Sequence, residues 1–327
     1  MVVDPLTGME VAGRGVYLHF PYCLRRCPYC DFAIRVQRLV PGERYAEAVL
    51  RELDLRMTDT PEWRGRTIDS VYLGGGTPSL WEPAQVARVL EGIDRQLPLA
   101  ADAEVTLEAN PEVADGARLA GYRLAGVNRL SIGVQSFRAE TLATLGRTHR
   151  PEDGVRAVEA ARQAGFDNLS VDLIVGVSGQ RLEDAVGDAR QVSALAPEHV
   201  SAYVLTVERQ ELGTETVFSR RLRQGRLELP PEETVVAMVD GVADALEAGR
   251  LHRYEISSYA RSGRHARHNA LYWTGGESLG LGSAAVGFRR TGSGAVRTTA
   301  LRSVPRWMEA VDAGQLPDAE REPLGPA

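Results

Sequence analysis

Lysine is missing from this sequence: all 38 basic residues among its 327 are arginine. A lysine Schiff base or lysine general base is therefore excluded. Against 44 acidic residues the arginines leave a formal net charge of -6. Bulk charge thus gives no nucleic-acid footprint, and no nucleic-acid partner is expected unless arginines gather locally. Long apolar runs are also missing, since nothing approaches the roughly 18 to 20 uninterrupted apolar residues of a membrane helix. The opening residues, MVVDPLTGMEVAGRG, have neither the basic start nor the apolar stretch of a secretion signal. A cytoplasmic address is the expectation. Cysteine is scarce, with three in all, inside the eight positions from Cys23 to Cys30. An odd, tightly clustered set argues against a disulfide framework and for a metal.

What is present is ordinary globular material, 43% hydrophobic and 25% charged, enough for a full core. From Val16 to Leu205 short apolar, β-branched runs alternate with segments of helical period. The strands expected are Val16 to Phe20, Ser70 to Leu73, Glu104 to Glu108, Arg129 to Val134, Leu169 to Ile174 and Val200 to Leu205. Between them, Val86, Val89, Leu90, Ile93 and Leu97 mark one helix, and Leu182, Ala185, Val186, Ala189, Val192 and Leu195 another. Pro41 and Pro83 suit helix starts, and Gly165 suits a C-terminal cap.

Repeated strand and helix order implies a parallel sheet with right-handed crossovers. Both a doubly wound sheet and a partial (β/α) barrel satisfy it. Polar or glycine-rich signatures, however, follow nearly every strand: the cysteine loop, Gly74 to Pro78, Glu108 to Pro111 and Gln135 to Phe137, with Asp172 inside the fifth strand. Signatures spread around all strand ends suit a barrel mouth better than a single crevice. The fold expected is α/β, a partial (β/α)6 barrel over residues 1–210. A small mixed α/β extension is expected over 211–315, with a helix from Glu232 to Ala248 after Pro230 and Pro231 and a few strands around Gly280 to Phe288 and Ala295 to Thr299. Residues 316–327 are expected as a solvated tail.

Cys23, Cys27 and Cys30 are separated by three and then two residues, so one loop can wrap a small polynuclear cluster. Soft thiolates suit iron-sulfur clusters or zinc. Three thiolates on a four-iron cube leave one iron open to an exchangeable molecule. The competing reading is a structural zinc site completed by a histidine such as His19, in a non-catalytic binding module.

The loop Tyr22-Cys23-Leu24-Arg25-Arg26-Cys27-Pro28-Tyr29-Cys30-Asp31-Phe32 resembles that of radical S-adenosylmethionine enzymes, in the wording of the oxygen-independent coproporphyrinogen III oxidase-like group. The likeness runs from about Gly15 to Gly314. It implies a 4Fe-4S cluster on the three cysteines and S-adenosylmethionine held by Tyr17, Tyr29, Gly75, Gly76, Thr77, Glu108, Gln135, Arg147 and Asp172. It implies too that an electron donor serves the cluster, and that reductive cleavage of the sulfonium yields a 5'-deoxyadenosyl radical. No particular catalytic residue is assigned.

Within this group the oxidase has a further cysteine two positions after the third, where this chain has Phe32, and a longer arm before the loop than the 22 residues here. The haem-chaperone branch carries His-Asn-x-x-Tyr-Trp, which His268-Asn269-Ala270-Leu271-Tyr272-Trp273 reproduces. The resemblance therefore implies haem as cargo, with His268, Tyr272 and Trp273 as its candidate contacts, and an acceptor protein through which any membrane contact would be made. Histidine and tyrosine can ligate haem iron, and tryptophan can line a porphyrin face. Radical chemistry on coproporphyrinogen or another tetrapyrrole is the enzymatic alternative. Two departures from the family pattern are Val286, where a histidine is usual, and the lack of the usual small helical C-terminal domain before Ala327.

Overall fold

The computed structural model describes residues 13–207 and 215–325. The expected boundary at 210 and the opening twelve residues lie outside them. Six strands, β1 (Arg14–Phe20), β2 (Ile68–Gly75), β3 (Leu99–Ala109), β4 (Arg129–Gln135), β5 (Leu169–Val175) and β6 (His199–Val204), lie side by side in sequence order, each parallel to the next. All six expected strands are present, the first five longer than expected and β6 beginning and ending one residue earlier. Sequential order with right-handed crossovers puts every connecting helix on one face. The opposite face is then left to line a concave interior, which is the partial barrel the sequence implied.

The helical layer includes α1 (Gly42–Asp59), α2 (Pro83–Gln96), α3 (Gly116–Leu124), α4 (Pro151–Gln163) and α5 (Leu182–Ala194). Pro83 is the first residue of α2, whose Val86, Val89, Leu90 and Ile93 are buried. Gly165 follows α4 in the left-handed region, at φ 86°. The outward face of β1 buries Val16, Leu18 and Phe20, and Phe20 stacks on Trp81 at 5.0 Å.

After β6 comes α6 (Glu232–Ala248), at the bounds expected. β7 (Ser258–Ala260) pairs antiparallel with β6. The segment α7 (Arg267–Thr274), which carries the His-Asn-x-x-Tyr-Trp motif, packs against β1 and β2. Gly15 permits that approach, because a Cβ there would lie 2.4 Å from Leu271 and 2.9 Å from His268. The Glu104 carboxylate of β3 accepts from the first two amides of α7, those of Arg267 and His268, at 3.2 Å each.

The extension continues the same sheet. β8 (Glu277–Leu281) adds a parallel strand beside β1, and β9 (Val286–Thr291) and β10 (Gly294–Ala300) follow antiparallel. Past α8 (Val304–Asp312), residues expected to be solvated tail form β11 (Asp318–Leu324), antiparallel to β10. This corrects the tail reading. An edge strand exposed on both faces carries no apolar alternation to find, and charged contacts hold it instead. Asp318 pairs with Arg56 at 2.9 Å, and the fully buried Glu52 accepts from Arg56 at 2.7 Å, the Gly282 amide at 2.7 Å and the Trp307 indole at 3.1 Å. No helix among the described residues is long and apolar enough to cross a membrane.

Candidate functional site: two adjoining cavities in the barrel

The C-terminal ends of the parallel strands surround a cavity of about 480 Å³. Its wall carries Cys23, Cys27, Cys30, Tyr29, Gly75, Gly76, Thr77, Glu108, Gln135, Arg147 and Asp172, eleven of the twelve residues expected at the cluster and cofactor. The twelfth, Tyr17, lines an adjoining cavity of about 600 Å³. Its hydroxyl lies 3.1 Å from His19 Nδ1 and its ring stacks on Tyr72.

The cysteine loop is closed by its own main chain. The Cys30 amide donates to the Cys27 carbonyl, and the Arg26 guanidinium donates to the carbonyls of Cys30 and Ile34 at 3.2 Å each. Cys23 is buried and accepts from Thr77 Oγ1 at 3.4 Å. Burial raises the thiol pKa of Cys23 and pushes that of Cys30 to about 11. Thiols such as Cys23 and Cys30 ionise only when a cation replaces the lost water, and with Cys27 on the same cavity wall they form a donor set suited to a metal group. His19 is not placed to complete a zinc site, because its Nε2 lies 2.9 Å from the Ala33 carbonyl and its Nδ1 faces Tyr17. Among the described residues no three His, Cys, Asp or Glu side chains converge as they would on one metal ion.

Beside the thiols the cavity is prearranged for a charged ligand. Gly75 is left-handed at φ 108°, and a Cβ on Gly76 would strike the carbonyl oxygens of Phe20 and Tyr22 at 2.8 Å, so this turn must stay bare. Glu108 accepts from Tyr72 Oη at 2.8 Å and the Gly75 amide at 3.0 Å, yet burial raises its pKa to about 7. Asp172 accepts from Ser131 Oγ at 3.0 Å, and burial raises it to about 6. Both carboxylates gain from a cationic partner. Arg147 donates to Asn110 Oδ1 at 2.7 Å and to the Gly133 carbonyl at 3.1 Å, with Nη1 3.9 Å from Cys27 Sγ, while its buried Nε has no partner. Gln135 holds a left-handed φ of 68°, the kind of local strain that collects at functional sites.

The haem-motif residues differ in exposure. His268 is buried, its Nδ1 3.0 Å from Ser70 Oγ and its Nε2 3.1 Å from Tyr272 Oη, and burial lowers its pKa to about 3. Both of its ring nitrogens thus face partners within the fold. Tyr272 and Trp273 are about half exposed, and Tyr272 lines the second cavity. Tyr72 and Asn110 orient Glu108 and Arg147 without having been singled out as contacts. Tyr72 shares the inward face of β2 with Ser70, and only strand periodicity could have pointed to it.

Fold and site together describe a partial barrel with three cysteines on one loop at the wall of its cavity. A family model described as the Radical SAM superfamily matches residues 17–192. The chain is 39% identical over 273 residues to "Heme chaperone HemW" of Escherichia coli (strain K12), covering 83% of this chain and 69% of that protein. It is 34% identical over 301 residues to the protein of the same name from Bacillus subtilis (strain 168), covering 91% and 76%. Coproporphyrinogen III oxidase (HemN) from Escherichia coli, a solved structure 22% identical in sequence, superposes with a TM-score of 0.79 over 96% of this chain and 72% of its own, a likeness of fold. The chain belongs to the radical S-adenosylmethionine superfamily and, within it, to the HemW family. Membership in the superfamily implies a 4Fe-4S cluster and S-adenosylmethionine as cofactors.

Proposed function

We propose that this protein is a cluster-bearing haem chaperone: it binds haem and hands it to an acceptor protein. The observation that carries the reading is the pair of cavities sharing Asp31 and Phe32, one walled by the three thiols and the polar cofactor groups, the other by Tyr272. Cys23, Cys27 and Cys30 would hold the cluster. Thr77 steadies Cys23, and Gly75 and Gly76 keep the main chain bare for the amino end of S-adenosylmethionine. Glu108 and Asp172 would take its ammonium or ribose hydroxyls, Arg147 its carboxylate, and Tyr29 and Gln135 would shape the surroundings, with Tyr17 acting only from behind Tyr72, on which it stacks. When bound, the cluster supplies the electron for sulfonium cleavage. Tyr272, braced by His268, and Trp273 would meet the haem. Phe32, where the oxidase has a cysteine, is 57% exposed and turns the reading away from porphyrinogen oxidation.

The test is anaerobic reconstitution, with iron and sulfide counted, followed by haem titration and transfer to an apo-haemoprotein. The expected result is about four irons and four sulfides per chain, a Soret band that saturates, and haem lost to the acceptor faster than by dissociation. About one zinc and no iron would replace the reading with a structural zinc module. Vinyl formation from coproporphyrinogen would replace it with an oxidase.

A further inference from the structure

The second cavity is walled on one side by the sheet of the extension. Ser278 of β8 stands opposite Phe288 of β9, and Phe288 opposite Arg297 of β10, so hydroxyl, ring and guanidinium form one cross-strand row on a single face. Val286 on the same strand as Phe288 is 41% exposed and also lines the cavity. Ala33 and Phe32 of the cysteine loop close another side and Tyr272 of α7 a third. The space of about 600 Å³ is within the size range of small-molecule pockets, and its wall carries apolar side chains together with two arginines.

Those arginines are Arg297 and Arg302. Arg302 donates Nη2 to the Asp31 carbonyl at 3.1 Å and forms no ion pair among the described residues. Arg297 pairs with Glu322 but stays half exposed, leaving guanidinium surface for a second acceptor. A ligand matching this lining is largely apolar and carries two anionic groups. Guanidinium forks recognise carboxylates by paired, charge-assisted hydrogen bonds.

We infer that the second cavity is the haem seat, with Arg302 and Arg297 gripping the propionates and Val286 and Phe288 lying against the porphyrin. This rests on the haem-chaperone reading and assigns it a place. The shared wall at Asp31 and Phe32 would set the porphyrin edge beside the cluster loop.

The experiment titrates haem, and separately haem dimethyl ester, into the cluster-loaded protein, its Arg302→Glu and Arg302→Gln variants, and Val286→Glu, with thermal melts to show that each is folded. Wild type should bind haem about tenfold or more tightly than the ester. Arg302→Glu should remove that preference, Arg302→Gln should reduce it, and Val286→Glu should weaken both ligands together. Folded variants that all bind haem and ester as wild type does would place haem elsewhere and leave the chaperone reading standing. A wild type that binds no haem would overturn both.

Discussion

The two cavities differ in how they are assembled. The cysteine cavity is walled by one loop and the ends of consecutive strands, and its polar groups already hold one another: Tyr72 on Glu108, Ser131 on Asp172, Asn110 on Arg147. The second cavity joins β1, the cysteine loop, α7 and β8 to β10, elements as far apart in sequence as Tyr17 and Arg302, and it opens on half-exposed side chains. Preorganisation suits a cofactor that stays in one pose. A looser, more exposed wall suits cargo that must leave.

Removing a thiol should separate the two most sharply. Cys27→Ala is expected to abolish cluster assembly, read as loss of the brown chromophore, with the melting midpoint of the cluster-free protein unchanged. A retained chromophore would break the assignment.

A smaller effect is expected at Arg147, where Arg147→Gln should weaken S-adenosylmethionine binding by roughly 10- to 100-fold, since charged hydrogen bonds contribute about 1.5 to 3 kcal/mol. Haem affinity should stay within about twofold, and equal losses for both ligands would erase the division between the cavities.

Smaller again is a pH effect. The pKa values of Glu108 and Asp172 are raised to about 7 and about 6, so their protonated forms are favoured by the fold. Their contribution to stability is fully present below the ordinary carboxyl range near pH 4 and is lost as pH rises through 6 to 7. A cationic ligand reverses that preference. S-adenosylmethionine affinity should then rise by about tenfold from pH 6 to pH 8 with proton release, and Glu108→Gln should flatten the rise. Calorimetry in two buffers of different ionisation enthalpy would read the proton count.

The smallest change in ligand binding is expected for His268→Ala. It should cost about 1 to 3 kcal/mol of stability, through the lost contacts with Ser70 and Tyr272, and shift haem affinity by only about threefold. Loss of haem binding in a folded His268→Ala protein would restore the histidine as ligand.

Much of the barrel was legible because the parallel strands carry largely buried, mostly apolar stretches and the helices one-sided stripes. β5, for instance, reads Leu169-Ser170-Val171-Asp172-Leu173-Ile174-Val175, with Asp172 as its one charged residue. The extension was less legible. β8 sits beside β1 although some 260 residues separate them in the chain, and nothing in its composition names that neighbour. β11 resembles a tail in sequence because most of its side chains face solvent, and its order comes from the Asp318 contact with buried Arg56 and from β10.

By itself the sequence determined the chemistry available: three thiols in one loop, no lysine, and polar signatures after successive strands. Spacing along a chain fixes what a single loop can reach, and side-chain period fixes which face is buried. Only the tertiary structure decided how those groups are used. It turned His268 inward to Ser70 and Tyr272, moved Tyr17 to the second cavity, and brought Val286, Arg297 and Arg302 opposite the cysteine loop. Contacts between strands distant in sequence depend on how the sheet closes on itself, and no local pattern encodes that closure.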